Sequence, residues 1–334
     1  ANKRWERVVP CWPRSSTKTE RLLRWVPRKI GWRMSLGSGY AVEQMTFALR
    51  LIDLLRREQA DILHVQDPQV ALIVQRAARM GIVATRTILA HGTEEPPSFL
   101  NKITYLQHLA PWHMKEAGII RQTWTAIPNF VDTERFSPGR SDALRRELRI
   151  SRDATVVLCV AAIKRDHKRV DYLLDEFERV RGNACLVIAG GKEAQTDELI
   201  EQGLRRLGDR VRFLVRFSRE RMPELYRMAD VFTLCSLKEM MPIALLEATA
   251  SGLPCIINRH PVMEWMIGPG GLAIDMSHPG SPAETLNCGQ WRGLGERGRR
   301  HCVSHFSEER VVAQILEYYR FVTHHGRASM RRAG

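Results

Sequence analysis

No run of about 18 apolar residues occurs in the 334-residue chain, so no segment reads as a membrane-crossing helix. Cysteine carries no pattern. The seven residues Cys11, Cys159, Cys185, Cys235, Cys255, Cys288 and Cys302 include no C-x-x-C pair and are odd in number. That spacing supports neither a zinc site nor a disulfide framework. Cys159, Cys185, Cys235 and Cys255 sit inside apolar runs, where a reduced thiol behaves as a small hydrophobe, and a reducing compartment follows. A glycine turn after an opening strand is also missing. Gly37-Ser38-Gly39 has only Arg7–Val9, a weak strand candidate, before it, so it does not qualify as a dinucleotide fingerprint. Nothing resembles a motif that reads a nucleic-acid groove. Acidic residues are the scarce charge: 37 Asp and Glu stand against 51 Lys and Arg, giving a net charge of +14.

An apolar content of 44% with 26% charged residues excludes disorder as the main state. The length suits two domains. The basic excess suggests an anionic partner, whether nucleic acid, a membrane surface or a phosphorylated ligand. It is unevenly placed. Residues 1–36 hold ten Lys and Arg against Glu6 and Glu20, and residues 320–334 hold Arg320, Arg327, Arg331 and Arg332 with no acid. The stretch between them is nearly balanced. Trp5, Trp12, Trp25 and Trp32, half of the eight tryptophans, fall in the first of these segments. Basic residues interleaved with Trp suit the headgroup layer of an anionic membrane. They equally suit a solvated basic face with some Trp in the core.

Short apolar runs alternate with helical periodicity. Strands are expected at Asp61–Val65, Thr87–Ala90, Thr155–Val160, Ala184–Ala189, Val211–Val215, Val231–Cys235 and Pro254–Ile257. Helices are expected over Phe47–Arg57, 168–181, 194–206, 219–228, 242–251 and Glu308–Val322, and an irregular loop over 276–293. The alternation predicts an α/β fold with parallel sheets. Ser137-Pro138-Gly139 breaks the pattern, so domains are expected at 1–140 and 141–305. Residues 306–334 should form a final helix, returning to the first domain, and a basic tail. The first domain looks incomplete at its start.

The most informative constellation is Ser236-Leu-Lys-Glu239-Met240-Met241-Pro242, leading into a helix that carries Glu247 and closes at Gly252-Leu-Pro254. Glu239 should lie in the loop beyond a strand's carboxyl end, where open α/β sheets bind ligands, and Glu247 can point to the same crevice. Carboxylates there suit sugar hydroxyls. Spacing alone favours a helix with two solvent-exposed Glu.

This segment resembles the E-x7-E signature of the retaining glycosyltransferases of family 4, which have the GT-B fold. The match covers Ser236, Glu239, Glu247, Ala248, Ala250, Gly252 and Pro254. Ile127-Pro128-Asn129 with Val131-Asp132 and Phe136 resembles the family's I-P-N-G-V-D-x-x-x-F. The run from Val160 through Lys168 to Leu174 resembles V-G-R-L-x-x-x-K-G-x-x-x-L-L. Leu186–Gly191, Leu225–Val231, Asp61–Val65 and Ala90-His91-Gly92-Thr93 also have counterparts. The resemblance implies two doubly wound Rossmann-like domains facing across a cleft. It implies an enzyme of the hexosyltransferase type that moves a sugar from a nucleotide diphosphate sugar to an acceptor hydroxyl with retention.

By position, Lys168 would hold the donor diphosphate, Glu247 the ribose, and Glu239 the transferred sugar beside the backbone of Met240, Met241 and Pro242. His91 would approach that sugar from the first domain. The family Arg of V-G-R falls on Ala162, with Lys164 or Arg165 as substitutes. The Gly after the family Lys is Arg169, and Gly-Phe-Gly is replaced by Met240-Met241-Pro242, which stiffens the pocket. No Asp-x-Asp is present, so no metal and no other cofactor is expected. The expected partners are the nucleotide-sugar donor, a saccharide or lipid-linked acceptor and an anionic membrane surface, with no nucleic acid. The expected place is the cytoplasm, or the inner face of a membrane. Competing readings are an epimerase of the same fold, acting on nucleotide sugars, and a basic module that binds membrane or nucleic acid.

Overall fold

The structure is a computed structural model that describes residues 7–25, 37–119 and 121–330, with side chains described to residue 324. Trp5 and Trp32 lie outside the described residues. The chain divides into two compact units: residues 1–127 with 314–334, and residues 128–313. These limits differ from the expected 140/141 and 305/306. The first division falls within the I-P-N-x-V-D segment, with Pro128 to Asp132 in the second unit, and the division near the C-terminus falls inside the helix Glu308–Met330. No helix among the described residues is long and apolar enough to cross a membrane.

The first unit holds a four-stranded parallel sheet in the order β1 (Ile62–Val65), β2 (Arg86–His91), β3 (Tyr105–His108), β4 (Trp124–Ala126). Neither β3 nor β4 is expected from the sequence. Strand β3 reads Tyr-Leu-Gln-His, and its polar half is buried only because Gln107 donates to the Ile127 carbonyl and His108 meets His91. Arg7–Val9, the weak strand candidate, has no regular structure. The helix Gly39–Glu58 starts at Ser38, whose hydroxyl accepts from the Ala41 amide, so Gly37-Ser38-Gly39 is a helix cap. The helix Pro68–Arg79 is capped by Asp67 in the same way. From the last helix, Tyr318 donates to the Thr123 carbonyl at 2.6 Å and Tyr319 meets His64 at 2.8 Å.

The second unit holds six parallel strands, β5 (Thr155–Val160), β6 (Ala184–Gly190), β7 (Val211–Val215), β8 (Val231–Leu234), β9 (Cys255–Asn258) and β10 (Gly271–Ile274). Their order is β7-β6-β5-β8-β9-β10, the doubly wound arrangement that reverses direction between β5 and β8. The central strands are apolar throughout because helices cover both faces. On Val170–Glu178 the residues Val170, Leu173, Leu174 and Phe177 are all buried, and each stabilises the fold by about 1.5–3 kcal/mol. Residues 281–288, expected to be irregular, form the helix Ser281–Cys288, with Pro282 in its first turn. The four cysteines in apolar runs are all buried.

Candidate functional site

The reversal between β5 and β8 opens the sheet at its carboxyl ends. Two loops leave from there. The loop after β5 runs from Ala161 to Arg169 and carries Lys164, Arg165, His167 and Lys168. The loop after β8 carries Glu239. They converge: Lys168 Nζ donates to Glu239 Oε1. The lysine side chain is 18% exposed and the carboxylate 7%, so the pair is largely withdrawn from water. His167 Nε2 lies 3.6 Å from the other carboxylate oxygen and 2.9 Å from the Lys238 carbonyl. Sequence reasoning missed His167, because no spacing rule links residue 167 to residue 239.

Local backbone aims Lys168. The residues on either side of it, His167 (φ +66°) and Arg169 (φ +51°), are both in the left-handed region. A residue with a side chain adopts that region at a cost of about 1–2 kcal/mol, and glycine adopts it freely. Close packing also shapes the floor: a Cβ on Gly190 would lie 1.7 Å from the Ala161 carbonyl oxygen, so only glycine lets β6 pass the β5 loop.

The second carboxylate is built differently. Glu247 lies on the helix Ile243–Ala250 and accepts from the Tyr226 hydroxyl at 2.7 Å. It is therefore not a freely solvated helix residue. Burial pushes its carboxyl above the ordinary range, against the Tyr226 hydrogen bond and the charges of Arg135 and Arg219. Burial and the Glu247 charge drive the Tyr226 hydroxyl well up.

The substitutes for the absent family Arg part company. Arg165 is taken, donating to Glu198 at 2.6 Å and to Gln202 at 3.3 Å. Lys164 is half-buried and has no side-chain partner among the described residues. Met241 is buried, with its carbonyl and sulfur both accepting from Asn129 at 3.2 Å, while Met240 and Pro242 stay half-buried. Pro242 caps the helix without a hydrogen bond, and the amides of Ile243 and Ala244 begin its first turn. Ser236, at the head of the motif, is fully buried with its hydroxyl unpaired among the described residues.

Other matched residues serve the scaffold. Asp230 Oδ2 takes Arg145 Nη2 at 2.9 Å and the Val156 amide at 2.7 Å, pinning β5 beside β8. Asp132 Oδ1 accepts from the amides of Glu134 and Arg135.

In the first unit, His91 ends β2 and is buried, with Nδ1 3.3 Å from His108 Nδ1. Burial holds both imidazoles below their usual range, and His108, facing the charges of His91 and His113, is lowered to about 3. Among the described residues no group of three or more His, Cys, Asp or Glu is placed to hold a metal ion.

A doubly wound six-stranded unit and a second parallel α/β unit define the GT-B class of fold. Residues 140–286 match the family model of the Glycosyl transferases group 1. It is 27% identical over 244 residues to the UDP-Gal:alpha-D-GlcNAc-diphosphoundecaprenol alpha-1,3-galactosyltransferase of Escherichia coli, covering 65% of this chain and 62% of that one. It is 26% identical over 311 residues to the N-acetyl-alpha-D-glucosaminyl L-malate synthase of Bacillus anthracis, covering 84% of this chain and 80% of that one. The chain thus spans less than two thirds of the length of the galactosyltransferase. Among solved structures, the sucrose-phosphate synthase of Thermosynechococcus elongatus has the same fold, with a TM-score of 0.73 at 19% identity, over 89% of this chain and 80% of that one.

Proposed function

We propose that the chain is a retaining glycosyltransferase that uses a nucleoside diphosphate sugar as donor. The observation that carries this is the meeting of Lys168 and Glu239 beyond the carboxyl ends of β5 and β8, where the strand order reverses. In transfer, the bond from the anomeric carbon to the diphosphate oxygen breaks, and the diphosphate leaves with the electron pair. The acceptor oxygen bonds to the same face of that carbon, and its proton goes to the departing phosphate oxygen. Charge therefore develops at two places. Lys168, with Lys164 beside it in sequence and the first-turn amides of the helix Ile243–Ala250, meets the negative charge on the diphosphate. Glu239 orients the sugar through its hydroxyls, and Glu247, held by Tyr226, takes the ribose. The family resemblance also assigns His91 to the sugar, and burial favours the neutral form of its imidazole. This reading assigns no metal to the site.

The acceptor is read as a saccharide or a lipid-linked glycan at a membrane face. One named relative acts on a diphosphoundecaprenol-linked sugar. The helix Thr17–Trp25 presents Lys18, Arg21 and Arg24 to solvent, with Trp25 86% exposed. Cations beside an exposed indole fit an anionic headgroup layer.

A thermal-shift screen against UDP, GDP and ADP tests the donor reading. At a hundred times its dissociation constant, a ligand of the native state adds about 2.7 kcal/mol of apparent stability. One of the three should raise the Tm, and Lys168→Ala should remove the shift. No shift with any of them sinks the assignment. Sedimentation with phosphatidylglycerol vesicles tests the membrane reading: Trp25→Ala with Arg21→Glu and Arg24→Glu should abolish it.

A further inference from the structure

The loop that carries Glu239 is braced by four side chains from three separate segments. Arg169 Nη1 donates to the Cys235 carbonyl at 3.3 Å, Asn258 Nδ2 to the Leu237 carbonyl at 2.8 Å and Asn129 Nδ2 to the Met241 carbonyl at 3.2 Å. His167 meets the Lys238 carbonyl. Of these braces, His167 and Arg169 flank Lys168 in sequence, and Arg169 also reaches a third segment. Its guanidinium also donates from Nη1 to the Met276 carbonyl at 2.7 Å and stacks 3.9 Å from the centre of the Tyr172 ring. Tyr172 is itself fixed by donating to the His278 carbonyl at 2.8 Å. One side chain thus joins three places: the end of the β5 loop, the start of the β8 loop and the segment after β10.

We propose that Arg169 is a positioning residue that sets the register of Lys168 against Glu239. The inference rests on the donor-site reading above. Its backbone conformation is one that glycine adopts freely, and the matching family motif carries glycine here. An arginine at φ +51° bears that cost, and its side-chain contacts offset it. The backbone at 169 fixes the direction in which Lys168 leaves the loop, and the guanidinium fixes the Cys235 carbonyl, four residues before Glu239. Loop and lysine are therefore referred to one rigid group. This chain also carries Met240-Met241-Pro242 where the family motif has Gly-Phe-Gly.

Arg169→Gly is the clean test. Glycine keeps the left-handed backbone and removes only the side chain, whereas alanine would add strain of its own. Hydrogen exchange of the amides of residues 236–241 should speed up by about tenfold, with the rest of the second unit unchanged. The kcat/KM for the donor should fall by about tenfold, mainly in kcat, with the Tm within a few degrees of the parent. Arg169→Lys should restore neither, because an ammonium cannot bridge two carbonyls and stack on Tyr172. Unchanged exchange in Arg169→Gly overturns the proposal, and so does parent-like turnover with a loosened loop. Full recovery in Arg169→Lys overturns it too, by reducing the role to charge. Failure of the parent protein to bind UDP, GDP or ADP is a different result. It overturns the donor-site reading, and the exchange experiment, which needs no ligand, separates the two.

Discussion

The ammonium of Lys168 rests on the carboxylate of Glu239, 71 residues further along the chain, and both groups are mostly hidden from water. Removing one member of such a pair strands the other charge, which costs more than removing the charge from both. Lys168→Met should therefore lower stability by about 1–3 kcal/mol. Glu239→Gln strands the Lys168 charge in turn but keeps the shape and a hydrogen-bond acceptor for it, so it should cost less than Lys168→Met. Both should reduce sugar transfer by at least about a hundredfold, since each removes a group that meets charge or fixes the reacting sugar. Chemical denaturation and a donor-turnover assay separate the two effects. Parent-level turnover in both variants would contradict the site.

Glu247 illustrates the opposite balance. Its carboxyl is raised by burial, so the folded state holds the anion at a cost at neutral pH. Glu247→Gln keeps an acceptor for Tyr226 and removes the buried charge. The Tm at pH 7.5 should rise while binding of the nucleotide falls. A variant that loses both stability and binding would mean that the carboxylate is held by more than the Tyr226 hydroxyl.

Acid should destabilise the first unit through its histidines. The folded value for His108 is about 3, and an unfolded histidine titrates near 6.5. Between those values the unfolded chain binds the extra proton and the folded chain does not. This contribution to stability is full above about pH 6.5 and is lost as the pH falls toward 3, at up to about 1.4 kcal/mol per pH unit for one such residue. His91, also lowered, adds in the same direction. A Tm-against-pH profile should fall from pH 6.5 to 4, and His108→Asn should flatten it. An unchanged slope in the variant would place the acid sensitivity elsewhere.

Gly190→Ala is a steric test of the floor beneath the β5 loop. Its Cβ would stand 1.7 Å from a backbone oxygen, not from a side chain that could turn aside. The expected loss exceeds about 3 kcal/mol, with the β6 end or the β5 loop displaced. Gly191→Ala, where a Cβ would meet nothing within 4 Å, is the matched control and should fold normally. Equal stability of the two variants would count against the close approach.

Much of the second unit is legible in the sequence. Strand β5 begins and ends where its apolar run does, because a strand covered on both faces is apolar along nearly its whole length, and the edge strand β7 has its expected bounds although Arg212 interrupts its apolar run. The first unit is less legible. Strand β3 is missed because Gln107 and His108 look like loop residues until their partners at Ile127 and His91 are known. The helix Ser281–Cys288 is missed because proline and glycine around 279–289 read as a break, although proline is at home in a first helical turn.

The sequence by itself determined the alternation of strands and helices, the match of residues 140–286 to a family model and the ordered motifs that carry Glu239, Glu247 and Lys168, because these depend on local periodicity and spacing. Only the tertiary structure decided that Lys168 lies on Glu239 with His167 beside it, that Arg165 is spent on Glu198, that Glu247 is held by Tyr226, and that Arg169 spans two loops. Each of these is a contact between residues roughly 20 to 110 positions apart. Their separation is closed by the packing of the strands and helices of the second unit, and no rule of spacing along one chain encodes that closure.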